Sequence, residues 1–115
     1  MESDLTALLK AICPRVSPDV APAGTATPYI TYQGIGGQSM QYMDKTLPNK
    51  RNTLIQINVW GKTRAEALPL IRQAEQALVA ATSFQASPVG EPLWTYDEEA
   101  DLRGCLQTFS IWSDR

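Results

Sequence analysis

The pattern of apolar residues in this 115-residue chain points to an α+β two-layer sandwich. Two stretches carry apolar residues at helical spacing, and four shorter ones alternate in polarity or crowd β-branched and aromatic residues together. They follow one another as α-β-β-α-β-β. A right-handed crossover through the second helix places the fourth strand between the second and third. The expectation is a four-stranded, mainly antiparallel sheet in order 1-2-4-3 with both helices on one face. Residues 1–115 read as a single domain, large enough to bury one core.

The first helix is expected from about residue 4 to 13. Leu5, Leu8, Leu9 and Ile12 repeat at i, i+3, i+4, i+7. Ser3 can cap it, Asp4 suits the positive end of its dipole, and Pro14 stops it. Residues 16–28 hold three prolines and a glycine and read as a loop. Tyr29–Gln33, YITYQ, reads as the first strand. A long hairpin loop follows over residues 34–50, beginning with Gly34, Gly36 and Gly37. Loops longer than about 12–15 residues are usually functional or disordered.

Thr53–Trp60, TLIQINVW, is the second strand. Ile55, Ile57 and Val59 share one face, with Gln56 and Asn58 on the other. That second face is half polar, as in a sheet with an open or partner-covered side. Thr63 and Glu66 form a capping box for a helix over residues 64–81. Its stripe is Ala67, Leu70, Ile71, Ala74, Ala77, Leu78 and Ala81, interrupted by Pro69. Residues 87–90 read as a loop, and Leu93–Asp97 as the third strand. Residues 98–101 form a turn, and Leu102–Trp112 alternates as the fourth strand. Gly104 marks a bulge there.

Composition removes several functions. The chain has no histidine, which excludes Ser-His-Asp and Cys-His catalysis and the commonest zinc ligand. Cys13 and Cys105 read as buried free thiols in a reducing compartment. A net charge of -2 gives no general pull toward nucleic acid or anionic lipid. No apolar run approaches the ~18 residues of a membrane span, and the N-terminus lacks the layout of a signal peptide. No sequence-specific nucleic-acid binding, no membrane association and no cofactor is expected.

Asp97, Glu98, Glu99 and Asp101 could hold a divalent cation or act as a hydrolytic carboxylate pair. A solvated hairpin turn is the favoured explanation, because the EF-hand spacing and its glycine are missing. The glycines at 34–37 match neither a dinucleotide fingerprint nor a P-loop. Lys45, Lys50 and Arg51 near Tyr42 are a short basic cluster, best explained by loop solvation. Trp60, Trp94 and Trp112 lie at or near strand ends, and Met40, Tyr42 and Met43 lie in the long loop. Tryptophan, tyrosine and methionine are enriched where proteins meet. The expected interface residues are Gln38, Met40, Tyr42, Met43, Lys45, Arg51, Trp60 and Trp112.

Taken together, PYITYQ (28–33), IQINVWGKTRAEA (55–67) and YDEEADLRGCLQTFSIW (96–112) resemble the tail completion or tail terminator proteins of long-tailed bacteriophages and prophages. The resemblance covers nearly the whole chain. It implies a structural virion protein rather than an enzyme. Such proteins cap the tail tube, commonly as a hexameric ring, and present a surface to the head connector. The implied partners are further copies of the chain, the tube protein and the connector protein. The implied locations are the bacterial cytoplasm during assembly and then the virion tail. The resemblance carries over no catalytic, cofactor or metal residue. It implies that the loop over residues 34–50 meets neighbouring subunits or tube proteins. Two alternatives stay open: a monomeric protein- or peptide-binding module, and a small metal-dependent hydrolase using Asp97 and Glu99.

Overall fold

A computed structural model describes residues 2–19, 21–22, 24–37, 50–99 and 101–114. Helix α1 spans Glu2–Ile12, strand β1 Val16–Pro18, β2 Tyr29–Gly34 and β3 Lys50–Gly61. Helix α2 spans Arg64–Ala80, followed by β4 Gln85–Pro88, β5 Leu93–Asp97 and β6 Leu102–Asp114. Between β1 and β2 the Thr27–Pro28 peptide bond is cis.

The expected four-stranded sheet is corrected to a six-stranded mixed one, ordered β1-β2-β3-β6-β4, with β5 also paired to β6. The pairings β2–β3, β3–β6 and β6–β5 join the four expected strands. Two strands were missed, so neither the order 1-2-4-3 nor the two-layer description covers the whole sheet. Strand β1 lies parallel to β2, Val16 opposite Ile30. With three residues, one of them proline, it gives almost no periodic signal. Strand β4 pairs with the end of β6, Ala86 opposite Ile111, and was hidden by its Ser-Pro ending.

The long β3–β6 ladder organises the molecule. Its register runs unbroken from Lys50 opposite Asp114 to Gly61 opposite Arg103. Alternation then sorts the side chains. Ile55, Ile57, Val59, Cys105, Phe109 and Ile111 point to one face and are buried. Leu5 and Leu9 of α1, and Ala67, Ile71, Ala74 and Leu78 of α2, join them in one core cluster. The alanines let α2 approach the sheet closely.

Local corrections have local reasons. Helix α1 begins before Ser3, so that serine lies inside the first turn rather than capping it. Thr63 caps α2 by accepting the Glu66 amide at 3.2 Å, but the Glu66 carboxylate accepts from the Lys62 amide at 3.3 Å rather than from Thr63. Pro69 lies on the exposed side of α2, where its missing N–H leaves one helical bond unmade.

Gly104 makes no bulge, since it pairs with Trp60 on one side and Thr95 on the other. Any Cβ there would stand 2.8 Å from both the Trp60 ring and the Thr95 methyl. It is glycine because an indole lies across its backbone. Gly37, φ 152°, is equally confined: a Cβ would collide with the Asn52 carbonyl. The hairpin base is therefore tightly fitted at Gly37.

Cys13 and Cys105 are buried and unpaired with each other. Burial pushes the Cys105 thiol pKa up, opposed by the nearby Arg72 charge.

Candidate assembly interface

The two faces of the sheet differ in cover. Helix α2 packs on β3, β6 and β4, and α1 packs on α2 and β1. All the core residues contributed by β3 and α2 lie on that side. The opposite face carries Leu54, Gln56, Asn58, Trp60, Leu106, Thr108, Ser110 and Trp112, all half-buried. Among the described residues no helix lies over it. Polar pairs cross it: Gln33 donates to Gln56 at 3.2 Å, and Asn52 donates to Ser110 at 2.8 Å.

Trp60 and Trp112 both belong to this open face. Trp60 pairs with Gly104 and Trp112 with Asn52, eight rungs apart along β6. At about 3.4 Å per residue that separation is about 27 Å, so the two indoles cannot share one contact point. Tyr29 pairs with Trp60 at the same end. Its hydroxyl pKa is raised by partial burial and then by the charge of Asp97. Arg51 lies on the other face, exposed, at the mouth of a cleft of about 250 Å³ with Leu5, Asp19, Tyr32 and Ile55. Thus the structure does not gather these three residues into one surface. Gln38, Met40, Tyr42, Met43 and Lys45 lie outside the described residues.

The acidic turn behaves as a turn. Asp97 accepts the Glu99 amide at 3.1 Å. Asp101, at φ 52°, accepts the Tyr96 hydroxyl at 2.7 Å and the Arg103 guanidinium at 3.2 Å. The tyrosine bond, and after it the arginine bond, holds the Asp101 carboxyl below its usual pKa. Two carboxylates are thus committed to hairpin geometry, and among the described residues no group of three metal-ligating side chains occurs.

Two features escaped the sequence. One is an open groove of about 710 Å³ between the second half of α2 and the β4–β5 connection, lined by Glu75, Val79, Pro88, Gly90 and Glu91. Gln107 ties its walls together. This core-facing amide is only 2 % exposed, and it donates to Glu75 Oε2 at 2.6 Å and to the Gly90 carbonyl at 2.9 Å. A glutamine among core positions of β6 was the available signal.

The other is β5. Leu93, Trp94 and Tyr96 are 63 %, 38 % and 48 % exposed. Arg64 lies over the Trp94 ring at 5.0 Å and Arg103 over the Tyr96 ring at 4.8 Å. The composition of LWTYD gave the strand, but it could not show that α2 stops short of covering it.

The family model described as Tail completion protein gp17 matches residues 2–114. One chain of the solved structure titled "Virion of native gene transfer agent (GTA) particle" shares the fold. It superposes with a TM-score of 0.59 at 20 % identity, over 95 % of this chain and 86 % of that one. No curated protein matches in sequence. The chain belongs to the tail completion protein gp17 family and is a virion structural protein of the bacteriophage tail.

Proposed function

We propose that this protein completes the tail by capping the end of the tail tube, assembling there as a ring of copies and joining the tube to the head connector. Family membership over residues 2–114 carries this reading. The sheet supports it: one face is closed by helices, while the other keeps Leu54, Trp60, Leu106 and Trp112 half-buried with no helix above them among the described residues. A face of that kind suits a subunit that finishes its packing in an assembly. The role is structural, with no catalytic step. Assembly takes place in the bacterial cytoplasm, and the protein ends in the virion.

The long loop supplies the second contact in this reading. Met40, Tyr42 and Met43 offer adaptable apolar area, and Gln38, Lys45 and Arg51 offer polar partners, to a neighbouring subunit or to the tube. Deleting residues 39–46 leaves a folded protein that no longer binds tube ends. Normal binding by that variant contradicts the role of the loop.

The groove beside α2 favours a second reading, a monomeric module that grips a peptide. That module predicts a monomer at every concentration and no preference for tube ends. Negative-stain microscopy of tubes mixed with the protein separates the two.

A further inference from the structure

Strand β5 is an edge without the usual protection. Natural edge strands carry lysine, proline or a bulge, or are covered. Among the described strands β5 pairs with β6 alone. Its five residues, LWTYD, hold no lysine or proline, and their register against β6 is unbroken. Trp94 and Tyr96 pair with Cys105 and Arg103, which places both rings on the helix-bearing face. Helix α2 packs on β3, β6 and β4 and reaches over these rings only through Arg64 on Trp94, so both rings stay partly exposed.

The edge is self-complementary about Thr95. We propose that two copies pair antiparallel, β5 against β5, around a twofold axis through Thr95. In that register Trp94 of each copy faces the partner's Tyr96, giving two cross-strand aromatic pairs, a favoured combination. Leu93 faces the partner's Asp97, a pairing that adds little.

Charge agrees with the same register. Arg64 lies on Trp94 and, among the described residues, has no carboxylate within ion-pairing distance. Asp101, bonded to Tyr96, keeps 76 % of its side chain exposed. Placing the partner's Tyr96 beside Trp94 brings the partner's Asp101 toward Arg64, twice per dimer. An isologous contact of this type closes at two copies and does not propagate into fibres. In the dimer it covers an edge that would otherwise recruit other chains. The contact is a twofold pairing of free subunits, separate from the head-to-tail contact that a ring repeats, and does not depend on the tail-end location.

A Thr95→Cys variant tests it. In this register the two Cα atoms at residue 95 lie about 4.5–5.5 Å apart, within disulfide range. Mild oxidation should give a cross-linked dimer with an unchanged circular dichroism spectrum. Val89→Cys, exposed but away from the axis, should not cross-link. In sedimentation, Arg64→Glu should weaken the wild-type dimer by about tenfold or more, and adding Asp101→Lys should restore most of the loss. A folded Thr95→Cys protein that stays uncross-linked, or a wild type that is monomeric at all concentrations, overturns the proposal. If that happens while the protein still caps tubes, only this contact is wrong. If the cross-link forms and the wild type, free of any cross-link, leaves tubes uncapped, the tail-end function is wrong and the contact stands.

Discussion

The covered and open faces of the sheet are built from the same strands, yet they answer to different demands. On the covered face Ile57, Val59, Phe109 and Ile111 are fully buried and meet α2. On the open face the neighbouring positions Asn58, Leu106, Thr108 and Ser110 are half-buried. Alternation along β3 and β6 thus divides one ladder into a face closed by helices and an open face, which the proposed function makes the assembly surface. The closed face fixes stability in the free subunit. In the proposed function the open surface takes contacts that form later.

The largest effect that could break this comparison comes from truncation on the two faces. Phe109→Ala should cost about 3–5 kcal/mol in urea unfolding, as buried aromatic truncations do. Thr108→Ala, its open-face neighbour, should stay within about 0.5 kcal/mol. Equal losses would mean that the open face is already packed in the free subunit. Gly104→Ala comes next, at about 1–3 kcal/mol, because its methyl would meet the Trp60 ring and Thr95 at 2.8 Å. A neutral result would show that the indole moves aside freely and that the open face is loosely held at that end. Thr63→Ala should cost about 1 kcal/mol through loss of the α2 cap. Its effect belongs to the covered side and should leave tube binding unchanged.

How much of this was readable depended on local periodicity. The Ile55-Ile57-Val59 alternation and the Ala67-Ile71-Ala74-Leu78 stripe fixed β3 and α2 to within a few residues, because each places a run of apolar side chains on one face. Strands β1 and β4 were illegible. They are short, carry prolines, and exist because β2 and β6 offer them an edge. Trp60 and Trp112 were recognised as candidates, but their 27 Å scale of separation required the register. Nothing local marked the exposure of β5, since it follows from where α2 ends its cover. Gly104 was noticed as unusual, but its cause, an indole from a strand more than forty residues earlier, lies outside any sequence window.

The smallest effect concerns the β5–β6 turn, at the junction of both faces. Asp101 is held below its usual pKa, so its contribution is present above the unfolded value of about 3.9 and lost as pH falls through the lower folded value. Tyr96 is raised, first by its bond to Asp101, so its contribution is present below about 10 and lost as pH rises through the higher folded value. The turn should keep one geometry between these limits. Carboxyl chemical shifts across an acid titration check this, and an Asp101 that titrates at or above an ordinary aspartate contradicts it.

The most direct test of the central claim is the length of tail tubes grown from purified tube protein with and without this chain. Capping predicts that the chain halts elongation and is found by microscopy at tube ends alone. Unchanged elongation, or binding along the tube wall, would contradict it.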